Sequence, residues 1–220
     1  MIKLSETPLF HGLTEEDVAS ILGCIARSRT HYSKDEVILY EGEVVTHFGV
    51  ILSGSVFIES TDAWGSRSLL DKIGAGGLFA ESYAFSPGEP LMVSAVAAED
   101  CEILLIDGRK VLHPCDQFCN FHQQVIRNLF TISTQKNIVL SRRIFATASR
   151  SVRGRILTFL SQMAVRRGSL VFDIPFNREQ LADYLNVDRS ALSRELGRMQ
   201  KDGLIRVQRA HFELLSDGDA

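Results

Sequence analysis

The spacing of apolar positions changes character several times along the chain. Over residues 1–29 it is helical. Leu9, Phe10 and Leu13 precede Thr14-Glu15-Glu16-Asp17, which reads as a helix start with acids in its first turn, and Val18, Ile21, Leu22 and Ile25 then supply one apolar face. From about Thr30 to Asp107 the pattern becomes short apolar runs closed by glycine, serine and acidic residues. The predicted strands are Val37–Tyr40, Phe48–Leu52, Val56–Glu59, Ser68–Leu70, Met92–Val96 and Glu102–Ile106, a spacing that suits a small barrel or sandwich. Between them Gly77-Leu-Phe-Ala-Glu81-Ser-Tyr-Ala-Phe85-Ser-Pro-Gly88 reads as a short helix with glycines on either side. Such an insertion serves equally as a ligand cassette at the mouth of a barrel or as a plain lid on it.

Residues 111–145 are expected to form one long helix with two apolar seams. One seam is Phe118, His122, Val125, Leu129, Ile132, Lys136 and Val139; the other is Ile126, Phe130, Ser133, Asn137, Leu140 and Ile144. Two seams call for packing on two sides, one against the chain's own barrel and one against a partner helix. Asn137 either fixes the register of a parallel pair or faces solvent. Residues 146–151 lack an apolar face and read as a hinge before a helix over Val152–Arg167 that buries Ile156, Leu157, Phe159 and Leu160.

The stretch from Asn177 to Gly203 reads as two short helices with a tight break. Asn177 can cap the first, whose inner face is Leu181, Ala182 and Leu185. Asn186-Val187-Asp188 breaks the pattern, Asp188 can cap the second, Leu192, Leu196 and Met199 are its inner face, and Gly203 closes it. A strand over Leu170–Ile174 precedes the pair, and Leu204–Val207 with His211–Leu214 forms a hairpin after it. The exposed beginning of the second helix carries Arg189, Ser190, Ser193 and Arg194. An arginine there can bond guanine O6 and N7 together, and a serine hydroxyl can reach base edges or phosphates. The bland alternative is a helical hairpin with a solvated charged face.

Charge favours the DNA reading once it is divided. The whole chain is slightly acidic, at −3. Residues 1–149 carry 12 basic against 18 acidic side chains, whereas residues 150–209 carry 12 against 6. A basic piece joined to an acidic one fits a nucleic-acid reader attached to a different module. No apolar run is long enough to span a bilayer and no signal segment opens the chain, so a cytoplasmic protein without membrane contact is expected. Four cysteines, Cys24, Cys101, Cys115 and Cys119, in 220 residues do not make a disulfide framework. No Ser-His-Asp arrangement, paired carboxylate site or phosphate loop stands out, so an enzyme is not expected; an interaction protein built on the barrel is the remaining competitor.

In its order of parts the chain resembles the CRP/FNR family of bacterial transcription regulators. The residues that carry the resemblance most specifically are Val152-Arg-Gly-Arg-Ile-Leu, the block from Arg178 to Leu196, and Lys201-Asp-Gly-Leu-Ile; Leu52-Ser-Gly-Ser-Val, Gly76-Gly-Leu-Phe-Ala-Glu81 and residues 97–106 match more loosely. The resemblance implies an α+β fold with three parts. These are an effector-sensing double-stranded β-helix barrel of the cupin-like, cyclic-nucleotide-binding type (1–110), a dimerisation helix (111–145) and a winged helix-turn-helix (146–220). It further implies a homodimer on an inverted-repeat operator, with double-stranded DNA and RNA polymerase as partners and Arg178, Arg189, Ser190, Ser193 and Arg194 at the DNA. The implied effector pocket comprises Phe79, Glu81, Ser82, Tyr83, Leu91, Met92, Leu140 and Ser141.

The departures narrow the effector. Members that bind cyclic nucleotides hold the cyclic phosphate with an arginine and a small hydroxyl residue, which fall here on Leu91 and Met92. The hydroxyl pair that meets the purine falls on Leu140 and Ser141, and only Glu81 of the cassette is retained. Cyclic AMP is therefore not expected. The N-terminal cysteine cluster of iron–sulfur members is absent too, since only Cys24 lies in the first hundred residues. In the helix that would read DNA, Ser190 stands where many members have a glutamate. His113-Pro-Cys115-Asp-Gln-Phe-Cys119-Asn-Phe-His122 is the other constellation. Cys115, Cys119 and His122 at helical spacing suit a metal or redox site, or two small buried hydrophobes beside a surface histidine. The effector is left open among haem, a metal and a small organic molecule.

Overall fold

The computed structural model describes residues 2–61, 67–113 and 120–215. It divides into two compact units, Met1–Thr134 and Gln135–Ala220.

In the first unit, 3-10 turns at Leu4–Glu6 and Pro8–Phe10 lead to helix α1 (Glu15–Ile25). Its start is a reciprocal cap: the Asp17 amide donates to Thr14 Oγ1 at 3.2 Å and the Thr14 amide donates to the Asp17 carboxylate at 3.0 Å. The helix stops at Ile25, and residues 26–29, expected to be helical, already belong to strand β1 (Ala26–Tyr32). Burial alternates residue by residue along β1, with Arg27, Arg29 and His31 pointing outward. That period of two is written mostly in polar side chains, which a count of apolar positions misses.

The barrel is made of two four-stranded antiparallel sheets. One has the order β1, β8 (Cys101–Asp107), β3 (His47–Ser53), β6 (Leu78–Phe79); the other has β2 (Val37–Leu39), β7 (Ser94–Ala97), β4 (Ser55–Thr61), β5 (Arg67–Gly74). β7 begins at Ser94, two residues later than predicted, and β5 is longer than the Ser68–Leu70 core read from the sequence. Within the first sheet, β3 and β8 are buried on both faces. Ile51, Ile103 and Leu105 point into the barrel with Val56, Phe79 and Leu91, while Val50, Leu52, Leu104 and Ile106 pack outside it against Leu9, Phe10, Ile21 and Ile25. Two-sided burial explains why β3 and β8 read as nearly continuous apolar runs.

Helix α3 (Gly108–Leu112) follows the barrel and α4 (Asn120–Thr147) comes after it. The single helix expected over 111–145 is thus broken. Asp107 caps α3 by accepting from the Arg109 and Lys110 amides at 3.0 and 3.4 Å, α3 ends at Leu112, and His113 is outside any helix. Cys115, Phe118 and Cys119 lie outside the described residues.

The two seams of α4 behave differently. His122, Val125 and Leu129 are buried, with Val125 and Leu129 in the barrel's outer core and Ile132 packed against it. Asn128 pins this face: its amide donates to the Leu9 and His11 carbonyls, each at 2.8 Å, and its oxygen accepts from Gln124 at 3.1 Å. On the other seam Phe130 is 73% exposed and Ile126, Leu140 and Ile144 are exposed as well.

In the second unit the end of α4 is followed by α5 (Val152–Arg167), β9 (Val171–Asp173), α6 (Arg178–Leu185), α7 (Arg189–Lys201), β10 (Ile205–Gln208) and β11 (His211–Leu214). The three strands form a sheet of order β10-β11-β9. α4 continues to Thr147 and Ala146 is fully buried in this unit's core, so the expected hinge at 146–151 begins two residues late; a single small side chain carries little apolar signature.

Candidate nucleic-acid interface and effector cassette

The helix pair in the second unit forms through local chemistry that its sequence spells out. Asn177 and Gln180 make a reciprocal cap on α6, each side chain accepting from the other's amide at 2.9 Å. Asn186 ends α6 in the left-handed conformation at φ +51°, which asparagine tolerates better than most residues. Asp188 then caps α7, accepting from the Ala191 amide at 2.9 Å and from the Ser190 hydroxyl. These hydrogen bonds to its charged form hold the Asp188 carboxyl below the usual aspartate range.

With Leu192, Leu196 and Met199 buried underneath, α7 leaves Arg189, Ser190, Ser193 and Arg194 exposed around its first turns. Ser193 Oγ donates to the Arg189 carbonyl at 2.9 Å, and Arg194 Nε lies back along the helix against the Ser190 carbonyl at 3.3 Å. Arg178 is held differently. It is half-buried with its guanidinium 5.4 Å from the Phe212 ring centroid, and burial pulls its pKa down. Arg178 therefore reaches out less freely than the α7 arginines do.

What holds α7 in place is not legible in the sequence. Arg153 of α5 donates to Glu195 and, at 2.7 Å, to Asp202, so it clamps the middle and the end of α7. This pairing raises the Arg153 pKa and holds Glu195 below the usual carboxylate range. Arg155 donates to the Ser149 carbonyl at 2.8 Å and to the Leu185 and Asn186 carbonyls at 3.2 and 2.7 Å, tying down the turn between the two helices. Gly154 separates these arginines because a Cβ there would come within 2.0 Å of Ser149 Oγ. The Val152-Arg-Gly-Arg signature thus positions α7 and the turn before it.

In the barrel, the cassette is strand β6 followed by α2 (Glu81–Ala84), entered through Ala80 at φ +62°, a backbone state unusual for a residue with a Cβ. Phe79 is 2% exposed and seats in the space left by Gly49, where a Cβ would fall 2.1 Å from its ring. Glu81 is buried, Tyr83 is half-buried and Ser82 is exposed. Leu91 is 4% exposed within the apolar barrel interior, whereas Met92 is 70% exposed, with its amide donating to Tyr83 Oη at 3.4 Å. Leu140 and Ser141 belong to the second unit, where Leu140 is exposed and the Ser141 hydroxyl donates to Asn137 at 3.3 Å. His122 is buried at a cavity of about 400 Å³ lined also by Cys24, Asp107, Arg109, Lys110 and His113. Among the described residues no group of three or more His, Cys, Asp or Glu side chains is arranged to hold a metal ion.

A sensor-type β-barrel followed by a long helix and a capped, basic winged helix-turn-helix defines a DNA-binding regulator. Comparison with known proteins agrees. Residues 29–118 match the cyclic nucleotide-binding domain and residues 154–216 match the Crp-like helix-turn-helix domain. The chain is 26% identical over 208 residues to the cyclic AMP receptor protein of Thermus thermophilus, covering 91% of this chain and 89% of the relative. It superimposes on the crystal structure of the Thermus thermophilus catabolite activator protein with a TM-score of 0.50 at 25% identity, over 95% and 94% of the two chains. The fold also matches that of OCPA-complexed CprK, with a TM-score of 0.60 at 15% identity over 87% and 88%. The chain belongs to the CRP/FNR family of transcription regulators. No helix among the described residues is long and apolar enough to cross a membrane.

Proposed function

We propose that the protein acts as a homodimer that reads an inverted-repeat operator, with α7 of each copy in the major groove of one half-site, and that its barrel answers to an effector other than cyclic AMP. The observation that carries the DNA reading is the first turns of α7, where Arg189, Ser190, Ser193 and Arg194 are all exposed while the opposite face is locked into the core. The N-terminal part of such a helix is what reaches base edges. Arg194 is assigned to a guanine, Ser193 to a phosphate and Ser190 to a base edge or a bridging water. The exposed seam of α4, with Phe130 at its centre, supports dimerisation along that helix, and two-fold symmetry of the protein would then match two-fold symmetry of the operator. RNA polymerase is the further partner expected of a family member.

The effector assignment rests on Leu91 and Met92. A cyclic phosphate needs a positive charge and a hydroxyl; the chain offers an apolar side chain packed into the barrel interior and one turned out to solvent. Burying an unpaired phosphate charge there would cost several kcal/mol, on the order of 3–5, from the penalty for an uncompensated buried charge. The Thermus relative's name refers to cyclic AMP, but the phosphate-holding chemistry does not carry over to these residues. The proposed effector sits beside Glu81 and Tyr83. Electrophoretic mobility shift against genomic fragments, with and without cyclic AMP, tests both parts. Retarded fragments whose mobility is indifferent to cyclic AMP are expected, and no retarded fragment would overturn the DNA reading.

A further inference from the structure

The second unit contains a cavity of about 760 Å³ that DNA reading does not use. It lies among the end of α4, α5, the segment after β9 and α6, all within that unit. Its size is in the usual range for small-molecule sites. The wall is apolar and aromatic. Phe159 meets Tyr184 edge-on with centroids 5.4 Å apart, and Phe176 stacks on Tyr184 at 5.1 Å and 28°. Val139, Met163, Val165 and Pro175 complete the apolar lining.

The charged lining has one sign. Among the described residues, Arg142, Arg166 and Arg167 line the cavity and no Asp or Glu does. None of these arginines makes a salt bridge among the described residues, unlike Arg153, Arg198 and Arg206 of the same unit. Phe176 and Tyr184 are only half-buried, so ring surface remains free, and Val165 beside the arginines is 85% exposed. A stacked aromatic wall under unpaired guanidinium groups is complementary to a flat apolar body with an anionic head.

We propose that this cavity is a binding site for a small aromatic acid, its ring system against Phe176 and Tyr184 and its carboxylate on the arginines. The site is separate from the barrel cassette and from the exposed face of α7. It also differs from a site for a neutral hydrophobe, because removing the charge from the ligand would leave the arginines without their partner.

The test uses the full-length protein and an anionic aromatic dye, 8-anilinonaphthalene-1-sulfonate, followed by fluorescence. Dye binding is expected to saturate at one molecule per chain and to be displaced by 2-naphthoate but not by neutral 2-naphthalenemethanol at the same concentration. Val165→Asp, which sets a negative charge like the dye's own on an exposed position of the lining, and the double variant Arg142→Ala/Arg166→Ala, which removes two of the three positive charges, are each expected to weaken the dye by about tenfold or more. Lys201→Ala, which removes an exposed positive charge of the same unit outside the cavity lining, is expected to leave it unchanged, and circular dichroism and thermal unfolding of each variant show that the fold persists. Equal displacement by the neutral alcohol, or dye affinity indifferent to both charge variants, would overturn the proposal. So would a native dimer that does not bind the dye beside a Phe130→Glu monomer that does, which would mean that a second copy covers this face.

Discussion

Phe130→Glu is the sharpest test of dimerisation through α4. Phe130 is 73% exposed, the largest exposed apolar side chain on its seam. Fully burying such a side chain is worth about 1.5–3 kcal/mol relative to leaving it in water, and close to three quarters of that remains to be gained here. In a two-fold dimer the residue counts twice, so the substitution should remove about 2–4 kcal/mol, a rise in dimer Kd of roughly 30- to 1,000-fold. Two glutamates brought together at the interface add repulsion in the same direction. Thr131→Glu is the control: it lies about 100° further round the helix, away from both seams, and Thr131 is exposed. Sedimentation velocity over a range of concentrations should find wild type and Thr131→Glu dimeric at low micromolar protein and Phe130→Glu monomeric, all with the same circular dichroism. A wild type that is monomeric, or a Phe130→Glu protein that dimerises unchanged, would refute the reasoning.

Other expectations follow from particular contacts. Calorimetry should detect no cyclic AMP binding up to millimolar nucleotide, because Leu91 and Met92 replace the phosphate ligands; micromolar affinity would contradict this. Leu196→Ala, at a side chain 2% exposed beneath the recognition surface, should destabilise the second unit by about 2–5 kcal/mol in denaturant unfolding, and a loss under 1 kcal/mol would mean that α7 is packed otherwise. The carboxyl of Glu195 is depressed chiefly by its hydrogen bond from Arg153. Its stabilising contribution is therefore complete above the ordinary glutamate pKa of about 4.3 and is lost as pH falls through the lower folded value. Thermal unfolding measured from neutral to acid pH should show a shallower acid decline in Glu195→Gln than in wild type; parallel declines would show that the pair does not set acid stability.

Much of the fold is legible in the sequence because the signals are local. The caps at Thr14, Asn177 and Asp188, the apolar faces of α1, α6 and α7, and the Leu192-Leu196-Met199 underside are spelled by residues within a few positions of one another. β1 does not stand out in the sequence because its alternation is carried by Arg27, Arg29 and His31 rather than by apolar residues. The break at His113 was hidden because Asp107 caps a separate short helix whose pattern runs on into the next. Ala146 reads as hinge material, yet it is fully buried in the core of the second unit. The four α7 residues assigned to DNA are legible as an exposed polar face, but Arg153 and Arg155 are not. Apart from the Ser149 carbonyl, which Arg155 meets six positions back, their partners lie 30 to 49 positions away in the sequence, and nothing in their own neighbourhood distinguishes a structural arginine from a DNA-contacting one. The contact of the Arg178 guanidinium with the Phe212 ring likewise becomes visible only in three dimensions.

The central claim is that α7 reads DNA sequence as one half of a symmetric pair. Its most direct test is selection of binding sites from a random duplex pool by wild type and by Arg194→Ala. Wild type should enrich an inverted repeat with half-sites about one helical turn apart, near 34 Å centre to centre. Arg194→Ala should bind about 1–3 kcal/mol more weakly and lose preference at one position of each half-site. A pool that yields no enriched motif, or one without two-fold symmetry, would contradict the account.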